Sequence, residues 1–378
     1  MVKKRRKKRS SPPDKGGPKV ERGERDHHDQ TLRLVNELLS SERSPDGVKR
    51  LRQVAVVRGL GSTRRFAWPI LVGCEVGVPA SAGAREGENF EHRDAQVVTC
   101  DVNRCLFHDV HKRPSLRWLL NACVGVDTNS ESGEQDVYYY QGLHDIASVL
   151  LLVLGSERVA FDVLRHLVKN HLRDCTRSDL VPVLESLDFV FDLLKRADPE
   201  LHDHVRSSGV PCHFALSWRL TWFSHDMQSL DHCARLFDVF LASHPLMPLY
   251  VGVCCLVAER ERILAAEAEF ATMHQLLSKI KPTSRSQQLS ELIRTALQLH
   301  KQVPPHRLGK GEGRRLAVFR GLAGAMAAKG SAGASGGDLT WAWLAMVSFS
   351  GLAAVTTVTA ALTSVLSFWD GNMHFQLL

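Results

Sequence analysis

Strand signals are almost missing from this chain of 378 residues. No alternating runs of Val, Ile and Thr are closed by hairpin turns, which excludes a fold built on a sheet. No Gly-rich loop leads through a basic residue into a helix, so no nucleotide cradle is expected. A Gly-x-Ser-x-Gly elbow is lacking, no cysteine stands in a catalytic context, and the acidic loop 127–136 lacks the spaced oxygens of a calcium site. The nine cysteines form no Cys-x-x-Cys pair. That odd, scattered set suits reduced thiols better than a disulfide framework. The eighteen histidines show no zinc spacing, even at His108 with His111 or at Cys212, His213, His232 and Cys233. No metal site is therefore expected. There is no internal repeat, and the charged start leads into Ser, Pro and Gly instead of the apolar core of a secretory signal.

What is present is helical. Apolar residues are 44% of the chain, enough for one large core or two moderate ones. From Leu32, Val35, Leu38 and Leu39 onward they recur at helical spacing through many segments. Breaks are expected at Pro199, at Gly209 with Pro211, and at Pro245 with Pro248. The expected organisation is a basic, structureless tail over 1–28 and an all-α body over 29–282. A short helix and flexible linker over 283–338 follow. The net charge of +7 is concentrated in the run Lys3 to Arg9, and the rest is nearly balanced, so no nucleic-acid partner is expected. That run suits a solvated tail, a contact with anionic lipid or a nuclear signal.

Residues 339–369 contain no charged side chain. A bilayer takes roughly 20 apolar residues to cross. Trp341, Trp343 and Trp369 would stand at its two interfaces. Lys301, Arg307, Lys310, Arg314, Arg315, Arg320 and Lys329 precede the segment, and residues 370–378 carry no Lys or Arg. The positive-inside rule then leaves the body in the cytosol, anchored by its tail, with a short segment across the membrane.

Two polar residues remain that could carry chemistry. Arg104 follows Asp101 at i, i+3 spacing and could simply pair with it. Gln141 stands between a row of tyrosines and an apolar helix, and could cap the helix beginning near His144. Together, however, an arginine and a glutamine are the side chains that hydrolysis of GTP needs. The first neutralises charge on the transferring phosphoryl group and the second orients water. A protein without a nucleotide loop could lend both to another protein's nucleotide.

The motifs around them resemble the TBC-domain family of GTPase-activating proteins for Rab GTPases. "RRFAWPIL" carries Arg64, Trp68 and Leu71 in an Arg-x-x-x-Trp-x-x-Leu pattern. "VTCDVNR" carries Val98, Asp101 and Arg104 in the pattern Ile-x-x-Asp-x-x-Arg, with Val for Ile. "YYQG" carries Tyr139, Gln141 and Gly142, and "RLFD" ends at Asp238. The resemblance covers roughly residues 48–280. It implies a two-lobed, all-helical TBC domain joined to the C-terminal transmembrane helix, and within the family it points to a member held at the endoplasmic reticulum by its tail.

By that resemblance Arg104 is an arginine finger and Gln141 a glutamine finger. Asp101 holds Arg104, Tyr139 and Tyr140 wall the glutamine loop, and Gly142 lets a partner's backbone approach. Arg64 and Trp68 fix the helices below, with plain core packing the alternative for Trp68. The partner would be a Rab in its GTP form, bringing Mg and GTP with it, so no cofactor of its own is implied. The resemblance further implies a Rab of ER-to-Golgi traffic, with the early Golgi as a second address and effects on Golgi organisation and autophagy. The competing reading is a membrane-tethered Rab-binding adaptor without catalysis. Cys105 stands where the family commonly has Ser or Thr, and the stretch 113–137 reads as irregular where the family has a longer helical one.

Overall fold

The structure, a computed structural model, describes residues 19–40, 43–74, 92–106, 109–124, 137–283 and 285–308. Among them every regular element is helical, as the missing strand signals require. The basic run 3–9, the acidic loop 127–136 and the apolar segment 339–369 lie outside the described residues. No helix among the described residues is long and apolar enough to cross a membrane.

The first packing group contains α1 (Lys19–Ser40), α2 (Pro45–Val57), α3 (Arg64–Val72), α4 (Ala95–Asn103), α5 (Arg113–Val124), α6 (Leu143–Leu154) and α7 (Glu157–Lys169). Here α5, α6 and α7 pack on one another, α4 lies on α5, and α3 lies on α6 and α7. Capping fixes two of the starts: Ser44 accepts from the Gly47 N–H ahead of Pro45 and Asp46, and Ser156 accepts from the Val159 N–H.

Four short helices follow: α8 (Val181–Leu187), α9 (Phe189–Ala197), α10 (Pro199–Ser207) and α11 (Leu216–Thr221). The chain then forms α12 (Leu230–Ala242), α13 (Met247–Ala258), α14 (Arg260–Leu264), α15 (Phe270–Leu277) and α16 (Ser286–Gln302). In this second group α13 is the central helix. It packs on α9, α11 and α16 and is buried along nearly its whole length. Gly252 makes one of these contacts possible, because a Cβ there would stand 2.1 Å from the Trp218 ring. The two groups meet through α12, which packs on α2, α3, α6, α13 and α16, and through α11, which packs on α6, α8 and α13.

A continuous aromatic chain crosses that junction. Trp68 stacks on Phe237 at 5.8 Å, and Phe237 meets the edge of Trp222 at 5.3 Å. Trp222 continues to Phe240, Phe240 to Phe223, and Phe223 to Trp218. Such rings bring a large apolar area together with defined geometry, which sets the relative placement of α3, α11 and α12.

Three expectations need correction. The body does not stop at Pro282: α16 buries Leu289, Leu292, Ile293, Ala296 and Leu299, and Tyr250 donates its hydroxyl to the Val303 carbonyl at 2.7 Å. Nor does it begin at residue 29, since α1 starts at Lys19. The stretch from Arg113 is not irregular; residues 113–124 are a regular helix, with Leu116, Leu119, Leu120 and Cys123 inward. Pro114 sits in its first turn, where a missing N–H costs nothing. Helix α11 is short. It ends at Thr221 because Trp222 and Phe223 both take left-handed backbone, with φ of 53° and 62°. The aromatic packing of their fully buried rings holds them there. The expected break at Pro199 stands as the start of α10, capped by Asp198, while Pro248 lies inside the first turn of α13.

Candidate functional site

Arg104 terminates α4 and its side chain is 44% exposed. The chain turns sharply just beyond it. Leu106 adopts a φ of 54°, and Arg113 of α5 donates its Nε–H to the Cys105 carbonyl at 2.9 Å. The arginine therefore stands at the tip of a braced turn. The Cys105 thiol donates to the Val102 carbonyl at 3.3 Å, a local bond that a hydroxyl could also make. Burial first, then the Asp145 charge, pushes that thiol up to about 11, so it remains neutral. Val97 and Cys100 share the outward face of α4 and are exposed.

Asp101 lies one turn back and is buried, only 2% exposed. Its Oδ1 accepts from Arg104 Nη2 at 2.5 Å, and its Oδ2 accepts the Tyr139 hydroxyl at 2.8 Å. Such a carboxylate needs both partners to offset its lost hydration. Burial first, then the Asp101 charge, lifts the Tyr139 phenol well above the ordinary tyrosine range, so it stays a donor.

The segment bearing Gln141 is tied down on both sides. Tyr139 donates its N–H to Asp94 Oδ2 at 3.0 Å, and the Arg93 guanidinium covers the Tyr138 ring at 3.4 Å. Tyr140 is buried and donates its hydroxyl to the Leu220 carbonyl at 3.0 Å, reaching α11. Gln141, the next residue, is half-buried, and its amide makes no hydrogen bond among the described residues. It does not cap the next helix, whose N-cap is Gly142. It stands two residues along the chain from the Tyr139 phenol that donates to Asp101.

Gly142 has a φ of +117°, which effectively only glycine adopts, and a Cβ there would stand 3.0 Å from Thr221 Cγ2. The close approach that demands glycine is thus made by the chain's own α11.

Arg64 and Trp68 belong to a separate centre. Asp238, wholly buried, accepts from Arg64 Nη2 at 3.0 Å and Nε at 3.1 Å, from the Trp68 indole at 2.8 Å and from the Leu60 N–H at 3.1 Å. Arg235 donates to the carbonyls of Ala55 and Val56 at 2.9 and 2.8 Å. The Arg-x-x-x-Trp and Arg-Leu-Phe-Asp patterns therefore lock α2, α3 and α12 together. For Trp68, packing and this bond are its whole role in the fold.

The sequence reading passed over Asp94, His144 and Leu220. Asp94 and His144 gave no signal beyond being polar, and Leu220 contributes through its backbone carbonyl. No group of three or more His, Cys, Asp or Glu among the described residues could hold a metal ion.

A family model described as the Rab-GTPase-TBC domain matches residues 62–264. TBC1 domain family member 20 of Bos taurus is 32% identical over 281 residues, covering 73% of this chain and 68% of that protein. GTPase-activating protein gyp10 of Schizosaccharomyces pombe is 33% identical over 203 residues, 54% of each chain. Among solved structures, the Ypt/Rab-GAP domain of Gyp1p superposes with a TM-score of 0.54 at 15% identity, over 72% of this chain and 98% of its own. The Chlamydomonas flagellar RabGAP TBC domain gives 0.50 at 18%, over 75% and 97%. These two likenesses speak for the fold alone.

Proposed function

This chain belongs to the Rab-GTPase-TBC domain family and is a Rab GTPase-activating protein in kind; we propose that it accelerates GTP hydrolysis by lending Arg104 and Gln141 to the nucleotide of a Rab. One observation carries the reading. Arg104 is bonded to the buried carboxylate of Asp101, Gln141 lies two residues along the chain from the Tyr139 whose hydroxyl donates to the same carboxylate, and both reach solvent.

Arg104 gives Asp101 one nitrogen, leaving Nη1 and Nε of a planar fork to meet phosphate oxygens. As charge builds on the transferring group, that cation stabilises the transition state more than the ground state. Gln141 offers an amide that both donates and accepts, the equipment needed to orient an attacking water. Mg and GTP come with the Rab. An in-trans arginine of this kind is worth about 10³–10⁵ in rate.

The exposed Val97 and Cys100 on the Arg104 face belong to the surface the Rab would cover. The uncharged segment 339–369 supports anchoring in a bilayer, with the helical body on the cytosolic side. The branch of the family that the motifs resemble makes the endoplasmic reticulum the proposed membrane and an ER-to-Golgi Rab the proposed substrate.

The test is single-turnover hydrolysis by a panel of purified GTP-loaded Rabs, with the full chain in detergent and with its Arg104→Ala and Gln141→Ala variants. Acceleration of one or a few Rabs, lost in both variants while Rab binding persists, supports the reading. Binding with no acceleration by the wild-type chain would replace it with the tethered adaptor.

A further inference from the structure

Behind the Asp101–Tyr139 contact stands a group that neither the motifs nor the family match assigns. His144, in the first turn of α6, is buried with its Nδ1 2.9 Å from the Tyr139 hydroxyl oxygen and 3.5 Å from Asp101 Oδ2. The phenolic proton is already given to Asp101. Only a protonated Nδ1 can then bond to the phenol oxygen, so His144 is the donor in that contact. Its other nitrogen lies 3.6 Å from Asp145 Oδ1, and Asp145 Oδ2 lies 3.4 Å from His225 Nδ1.

We infer that His144 is a positioning residue for both fingers: by donating to Tyr139 it fixes the phenol that orients Asp101, and through them the Arg104 fork and the Gln141 loop. This rests on the function proposed above and deepens it. The physical reason is geometric. A phenol donating to one carboxylate oxygen can swing about its C–O bond, and a second bond to its lone pair fixes the direction in which it donates. Asp101 Oδ2 is then occupied, so Arg104 is confined to Oδ1, with a single guanidinium nitrogen engaged. Tyr139 is also two residues from Gln141, so one histidine steadies both parts of the site. Misplacing a reacting group by about 1 Å costs on the order of 10²-fold in rate.

The experiment compares wild type, His144→Leu, His144→Asn, Tyr139→Phe and the His144→Leu/Tyr139→Phe double variant, each as the full chain in detergent. Asparagine can place an amide N–H where Nδ1 stands; leucine cannot. The Leu variant should lose about 10²-fold in kcat with KM nearly unchanged. Asn should recover most of that loss, and the double variant should be no slower than the slower single one, because all act through one phenol. Wild-type speed in the Leu variant, equal losses from Leu and Asn, or additive losses in the double variant would overturn the inference. So would a drop in melting temperature and Rab affinity that accounts for the rate.

A second readout needs no Rab activity and separates this inference from the function beneath it. In 15N-arginine spectra of the full chain, an ion-paired Arg104 gives separate Nη signals through slow rotation about Cζ–Nε, assigned by their disappearance in Arg104→Lys. Their collapse in the Leu variant supports the role of His144 even if the wild type accelerates no Rab tested. Their persistence refutes that role.

Discussion

Trp68 donates its indole N–H to Asp238 across 170 residues of chain, at 2.8 Å, and the same carboxylate takes two bonds from Arg64 Nε and Nη2. A fully buried carboxylate with these partners makes the α3–α12 contact specific. Removing it strands the partners, and that loss is costlier than the net worth of the pair. Asp238→Ala should therefore lower stability by about 3–5 kcal/mol. Urea unfolding measures the loss, while hydrolysis per folded molecule at low temperature should stay near wild type. A stable but inactive variant would instead place Asp238 in the reaction.

Gly142→Ala should strain the start of α6. The φ of +117° and the 3.0 Å approach to Thr221 oppose any Cβ. The expected cost is roughly 1–3 kcal/mol, with hydrolysis slowed because Gln141 is the neighbouring residue. Calorimetry together with single-turnover rates checks both; an unchanged melting temperature contradicts the argument.

Arg104→Lys keeps the charge but not the fork. A lysine bonded to Asp101 has a single nitrogen for both carboxylate and phosphate, so acceleration should fall by about 10²-fold or more with Rab affinity little changed. Titration of Rab binding alongside the rates separates the two effects, and near-wild-type acceleration would remove Arg104 from the mechanism.

A chain ending at Pro282 should not fold. It would strip α16 from α13 and expose the side chains that Leu289, Leu292, Ile293 and Leu299 cover. Each large apolar side chain buried contributes roughly 1.5–3 kcal/mol, so the sum rivals the stability of a whole domain. Far-UV circular dichroism and solubility against a chain ending at Leu308 decide it; a cooperative melt near that of the longer chain would show α16 to be dispensable.

Acid should weaken the fold before the carboxylates titrate. Burial holds His171 down at about 4, and burial with His300, Arg219 and His171 nearby holds His244 down at about 4. Both lie below the ordinary histidine value near 6.5, so the unfolded chain takes up protons first as pH falls. Their contribution is complete above about pH 6.5 and is lost between there and pH 4. Urea midpoints at pH 7 and pH 5 should differ accordingly, and His171→Phe should flatten the slope. An equal slope in the variant would assign the loss to other groups.

The helical class was legible because missing strand patterns and helical spacing are local signals. Arg104 and Gln141 were legible for a different reason: each sits in a short fixed motif. The body's end was not. Arg113-Pro114-Ser115 looks like a break but starts α5, since proline is tolerated in a first turn. The short helix expected within 283–338 is α16, but its place in the body was not legible, because its apolar stripe has meaning only against α13.

By itself the sequence determined helix, the order of the motifs and an uncharged segment long enough for a bilayer, because spacing and composition are written along the chain. Tertiary structure alone decided which motif residues act together. It parted Arg64 and Trp68, joined to Asp238, from Arg104 and Tyr139, joined to Asp101. It also brought His144 to Tyr139 and set Thr221 against Gly142. Those contacts are fixed by how α4, α6, α11 and α12 pack, and burial makes each polar partner matter because no water remains to replace it.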